Sequence, residues 1–201
     1  MRRLFSLAVL MLFTVGLRGE ILKVEVEGII DPVTSEFLSD AFREAERSHS
    51  ELLLMRLSTP GGLGVSMQEI LQQILNSPVP VVCYVSPKGT HAASAGFFIL
   101  LAADVAAMAP GTNTGAAHPV FPFGIDNEVM LEKVRNDSLA SLRTIVSLRN
   151  RNLELAEKGV LESKSYTEQE AVEAGLIDMV ANDESELLSR LDGFTVSRPD
   201  R

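Results

Sequence analysis

The chain's pattern predicts an α/β fold with a mostly parallel sheet flanked by helices. Three observations carry that expectation. Apolar runs of strand length alternate with stretches of helical spacing, turn residues separate them, and two loops rich in glycine and serine directly follow strand-like runs. Strands joined through helices need crossover connections, and crossovers make parallel pairs. Sheets of that kind hold their sites in loops beyond the carboxyl ends of the strands.

Each element has its own reason. From Ile21, Leu22, Val24 and Val26 alternate with Lys23, Glu25 and Glu27, which reads as a first strand with one buried face. Asp31-Pro32 or Thr34-Ser35 caps a helix running to about residue 48, with Phe37, Leu38, Phe42 and Ala45 on its inner side. Residues 51–57 make a second strand that runs into Ser58-Thr-Pro-Gly-Gly62, and a helix follows over 65–75. Pro78 and Pro80 open a third strand over 81–85, a short helix covers 97–103, and a fourth strand spans 104–109. The segment 110–115 reads as a turn. A loop over 117–124 leads to a long helix over 127–150 and a second over 151–159. Thr167-Glu-Gln-Glu170 is a capping box that opens a short helix, Gly175 ends it, and 176–180 makes the last strand.

The 201 residues suit one domain, and 46% hydrophobic against 22% charged residues supply a real core. A net charge of −9, with no basic stripe and no Trp, argues against a nucleic-acid partner. Cys83 is the only cysteine, so no intrachain disulfide forms; inside an apolar strand it reads as a small buried hydrophobe. His49, His91 and His118 show no metal-ligand spacing, and no metal or cofactor is expected. Arg2-Arg3 and the apolar run to Leu17 have the pattern of a secretory signal over residues 1–19, with an uncleaved anchor or a buried helix as the alternatives. The run is short for a permanent span, and no later segment is long and apolar enough to cross a bilayer, so a soluble extracytoplasmic body over 20–192 with a polar tail over 193–201 is expected.

The stretch with the most chemical content is His91-Ala-Ala-Ser94-Ala-Gly96. It puts a hydroxyl at the mouth of a helix, where unpaired N–H groups and the positive end of the helix dipole favour an anion. Acyl transfer needs such a place. The residues alone also allow a plain reading, in which small side chains permit tight helix packing and Ser94 is a helix cap.

Taken together, Ser58-Thr-Pro-Gly-Gly62, Ala92-Ala-Ser-Ala-Gly96, Met108-Ala-Pro-Gly-Thr112, Gly115-Ala-Ala-His-Pro119 and Ala171-Val-Glu-Ala-Gly-Leu-Ile-Asp178 resemble the protease domain of NfeD membrane proteins, related to ClpP and the signal peptide peptidase SppA. The resemblance spans about residues 21–188. It implies a ClpP/crotonase-like fold of repeated ββα units and a serine endopeptidase with a Ser-Lys dyad. Such an enzyme cuts apolar segments of membrane-associated proteins and works as a homodimer or larger assembly; a stomatin-like membrane protein is an implied partner. Position by position, Ser94 matches the nucleophile, Lys133 the general base, and the N–H groups of Gly62 and Ala95 the oxyanion hole, with Gly61 and His118 as possible site lining. The resemblance does not extend to the transmembrane bundle and small β domain of longer members, so the sequence reads as either a short form or a cut chain.

A lysine base must be neutral, so its pKa must fall from about 10.4 to about 7–8 through burial or a nearby positive charge. Spacing alone makes Lys133 a solvated residue, and Lys88 likewise. His118 stands 24 residues after Ser94 and is the alternative base. The crotonase branch would instead bind acyl-coenzyme A and use glutamates, for which Glu128 and Glu132 are the candidates. An inactive scaffold that binds peptides or a stomatin-like protein is the remaining reading. The segment Val120-Phe-Pro-Phe-Gly124 is a candidate binding lip or oligomer contact.

Overall fold

The computed structural model describes residues 20–119, 128–196 and 198. Its frame is a five-stranded parallel sheet in the order β1 (Ile21–Glu27), β2 (Leu52–Ser58), β3 (Val81–Val85), β5 (Val105–Met108), β8 (Met179–Val180). A small second sheet joins β4 (His91–Ala93), β6 (Asn113–Gly115) and β7 (Ser165–Thr167); β4 and β6 are parallel, β6 and β7 antiparallel. The helices are α1 (Pro32–Arg47), α2 (Gly64–Asn76), α3 (Ala95–Ala102), α4 (Glu128–Leu148), α5 (Leu153–Leu161), α6 (Glu168–Glu173) and α7 (Glu184–Leu191). The runs β3-β4-α3 and β5-β6-α4 are the repeated ββα units.

Local chemistry sets the boundaries. Asp31 caps α1 by accepting the Thr34 N–H at 2.8 Å, and Pro32 takes the first turn, where its missing N–H costs nothing. Thr167 and Glu170 form the reciprocal capping box of α6. All five residues of β3 are buried, as befits a central strand covered on both faces. Cys83 lies in it, and burial pushes its thiol up to about 12, which leaves it inert.

The sheet divides the core. On one face, Leu53, Met55, Leu57, Cys83 and Val85 meet α1, α2 and α3, with Leu139, Leu142 and Ile145 of α4 behind them. On the other face, Leu54, Val82, Tyr84 and Val105 meet Leu187 of α7.

Several expectations are corrected. Residues 91–93 and 113–115, read as loop and turn, are strands, because each completes its ladder with residues far along the chain. The last strand begins at Met179, since Leu176 and Ile177 pack into the core ahead of it. Phe37 is 48% exposed, and Ser35 and Ala41 take inner positions on α1 instead. Helix α7 was not anticipated. Arg198, within the stretch read as a polar tail, donates to Asp104, Ser77 O and Val79 O. The segment 120–124 and residues 1–19 lie outside the described residues.

Candidate active site

Two loops at the carboxyl ends of the strands meet at Ser94. The first leaves β2 through Thr59-Pro-Gly-Gly62. Buried Thr59 fixes its shape: its hydroxyl accepts the Gly61 N–H at 3.0 Å, and its backbone bonds to His91 O and the Ala93 N–H tie the loop to β4. Gly61 sits at φ +116°, and a β-carbon there would stand 2.5 Å from Ser94 Cβ. Gly62 bridges to Ile30, whose carbonyl oxygen lies 2.0 Å from where its β-carbon would be. Both positions therefore exclude side chains, and the bare loop runs directly beside Ser94.

The second loop is β4 and the turn into α3. Ser94 holds φ +52° and ψ −114°, a strained conformation for a residue with a side chain. Its N–H donates to Gly115 O at 3.1 Å, which fastens the turn to β6. Ser94 occupies the N-cap position of α3 but makes no capping hydrogen bond, and among the described residues its Oγ has no partner. The plain reading of Ser94 as a helix cap thus loses its physical basis. A half-buried serine on a sharp strand-to-helix turn, its hydroxyl without a partner among the described residues, has a geometry compatible with a nucleophile.

Ser94, Gly62 and Ala95 line one cavity of about 190 Å³. The N–H groups of Gly62 and Ala95 have no acceptor among the described residues; that of Ala95 opens α3, where the first N–H groups have no partner within the helix. Met67 and Phe98 make the cavity's apolar wall, and Val134 and Ser138 of α4 close its far side. Sequence reasoning missed these four residues and Thr59, although Thr59 lies within a motif already singled out.

The other candidates stand elsewhere. Lys133 is exposed on the first half of α4 and does not line this cavity; the helical step turns it about 100° from Val134. The structure of the single chain does not bring Lys133 to Ser94. His118 lines a neighbouring cavity of about 370 Å³ with Glu128 and Glu132, and Pro119 belongs to both cavities. The His118 ring donates from Nδ1 to Val160 O at 3.0 Å, since a carbonyl only accepts. Glu128 and Glu132 are likewise off the Ser94 cavity. Among the described residues no cluster could hold a metal ion.

A parallel sheet of ββα units with a serine on a strained turn beside a glycine loop defines an α/β protein of the ClpP-like protease fold. Listeria monocytogenes ClpP1 shares that fold with a TM-score of 0.67 at 19% identity, covering 82% of this chain and 94% of its own. Residues 20–195 match the family described as the NfeD1b N-terminal domain, and the chain belongs to that family. It is 31% identical, over 99% of its length, to the membrane-bound protease PH1510 of Pyrococcus horikoshii, and 36% identical over 94 residues, 47% of its length, to the membrane protein NfeD1b of Bacillus subtilis. It spans 46% of PH1510 and 21% of NfeD1b, less than half of either. Two structures of the 1510-N membrane-bound stomatin-specific protease superpose with a TM-score of 0.84. One is a serine-to-alanine variant, 31% identical and covering 90% of this chain and 89% of its own. The other is a lysine-to-alanine variant in complex with a substrate peptide, 32% identical and covering 91% and 84%.

Proposed function

We propose that this chain is a serine endopeptidase with a Ser94–Lys133 dyad, acting outside the cytoplasm on apolar segments of membrane-associated proteins. The observation that carries this reading is Ser94 itself. A strained turn, and an Oγ and two N–H groups that have no partner among the described residues, converge on one apolar-walled cavity. Ser94 Oγ attacks the scissile carbonyl carbon and Lys133 Nζ takes its proton. The Gly62 and Ala95 N–H groups bear the charge on the carbonyl oxygen, a task in which each such donor contributes about 2.7–4 kcal/mol. Collapse breaks the C–N bond, Lys133 returns the proton to the departing amine, and water then releases the acyl group from Ser94.

Support for Lys133 is indirect. It precedes the cavity-lining Val134 by one residue, and the serine and lysine replaced in the two related structures also lie about forty residues apart. A neutral lysine needs shelter from water. That shelter comes from bound substrate and from assembly into a homodimer or larger oligomer, for which exposed Val129, Met130 and Leu131 on the same half of α4 provide apolar surface. A stomatin-like membrane protein is the proposed partner, after the specificity carried in the name of the 1510-N relative. No helix among the described residues is long and apolar enough to cross a membrane.

The exposure of Lys133 favours one competitor, a peptide-binding scaffold without activity. Cleavage of an apolar test peptide or unfolded casein by the full chain separates them. The dyad predicts turnover that Ser94→Ala and Lys133→Ala abolish while both remain folded. Turnover that survives Lys133→Ala and fails in His118→Ala gives the base to His118, and absence of turnover in the assembled protein favours the scaffold.

A further inference from the structure

Helix α3, which carries Ser94 and Ala95 at its start, has an unusual problem of register. All eight of its residues, Ala-Gly-Phe-Phe-Ile-Leu-Leu-Ala, are buried and apolar. Apolar burial holds such a helix in the core but is non-directional, so it sets the helix's position along its axis only weakly. Directional bonds at the two ends must do that. At the start there is the Ser94 N–H to Gly115 O. At the end, buried carbonyls need donors that the helix cannot supply from within.

Two arginines supply them. Arg149 Nε donates to Ala102 O at 2.7 Å, Arg151 Nε donates to Leu101 O at 3.0 Å, and Arg151 Nη2 donates to Ala103 O at 3.2 Å. Both side chains are buried, 5% and 3% exposed. Each is locked in turn: Arg149 pairs at 3.2 Å with Asp104, whose side chain is wholly buried and also accepts the Val81 N–H, and Arg151 pairs at 3.0 Å with Asp178, which also accepts the Ala106 N–H. Arg151 Nη1 reaches Leu176 O at 3.1 Å. The arginines stand directly after α4, whose Val134 and Ser138 line the Ser94 cavity. Helices α3 and α4 therefore run side by side in the same sense, with the cavity at the start of α3 and the second and third turns of α4, and the arginines across the ends of both.

Resting on the reading of Ser94 as nucleophile, we infer that Arg151, seconded by Arg149, is a positioning residue: by gripping the last carbonyls of α3 it fixes the height of Ser94 and Ala95 against Gly62 and the facing wall of α4. Helix α3 is only about 12 Å long, so a shift at its end is a shift at its start. Lysine keeps the charge and most of the length but lacks the planar fork that reaches three carbonyls and a carboxylate together.

The test is Arg151→Lys in the full chain, read by peptide cleavage and by the rate of Ser94 modification with a serine-reactive phosphonate, per folded molecule and well below the melting midpoint. The expected result is a fall in kcat and in labelling rate of tenfold or more with KM within twofold. Leu187→Ala, destabilised on the opposite face of the sheet, retains wild-type rates. If Arg151→Lys does not fold, Arg149→Lys, which alters the bond to Ala102 O and the pairing to Asp104, carries the same expectation. Wild-type labelling and turnover in the folded variant overturn the positioning role while leaving the nucleophile intact. An unaltered chain that is neither labelled nor active overturns the nucleophile, and the positioning role with it.

Discussion

Replacing Gly61 by alanine should disable the site through Ser94 and leave the fold standing. The added β-carbon would lie 2.5 Å from Ser94 Cβ and 3.1 Å from its Oγ, where ordinary contact is 3.4–4 Å. Restoring that contact pushes the serine side chain away by about 1 Å or more, because the neighbour is a short side chain on a turn already pinned by Gly115. A displacement of about 1 Å at a reacting atom costs on the order of 100-fold in rate. The backbone adds its own penalty: φ +116° is a region in which alanine is strained by about 1–3 kcal/mol. For a domain of this size that lowers the melting midpoint by between about 2 and 12 °C. The assay is the phosphonate labelling rate and kcat of Gly61→Ala at a temperature where circular dichroism shows it folded. Activity within a factor of about three of the unaltered chain, with the fold intact, would mean that the Gly61–Ser94 contact does not set the nucleophile's position.

Other outcomes follow from the same structure. Cys83, held as a thiol up to about pH 12 by burial, should resist a thiol reagent in the native protein and react stoichiometrically in urea; native-state labelling at a free-thiol rate would contradict its placement. Asp31, Glu170 and Glu186 are each held below the usual carboxylate range, chiefly by accepting backbone N–H bonds from Thr34, Thr167 and Asn182. The unfolded chain then binds more protons in acid, so their stabilisation is complete above the ordinary values of 3.8 for Asp and 4.5 for Glu and is lost as pH falls through the lower folded values. The melting midpoint should decline below about pH 4.5, and less steeply in Glu170→Gln; equal slopes would refute the capping account. Leu187→Ala empties a buried position of the second core and should cost about 2–5 kcal/mol in urea unfolding without changing kcat.

How far the sequence could be read depended on whether the deciding interaction was local. The bounds of β3 and the Thr167–Glu170 box were legible because neighbours in the chain determine them, and of the two candidate caps for α1, Asp31 and Thr34-Ser35, the structure takes Asp31. The three-residue strands β4, β6 and β7 were not, since their reason is pairing across the fold, such as Asn113 with Thr167. Helix α7 did carry a local signal that went unused: Asp183 accepts the Glu186 N–H as its cap. Ser94 was found from its small neighbours and its place before a helix, but its backbone angles and free hydroxyl were visible only in three dimensions. The facing of α4 was the hardest point. Its buried residues, Leu139, Leu142, Ile145 and Val146, lie in its second half, while Val129, Met130 and Leu131 in the first half are exposed, so no apolar stripe told that Val134 rather than Lys133 faces the cavity.

The Ser94–Lys133 dyad is tested most simply by treating the full assembled chain with a serine-reactive phosphonate and locating the adduct by mass spectrometry, beside Lys133→Ala and His118→Ala. A Ser94–Lys133 dyad gives a single adduct on Ser94, formed at the unaltered rate in His118→Ala and slowed by at least about 100-fold in Lys133→Ala. An adduct on another serine, or none on the folded and assembled protein, would contradict it.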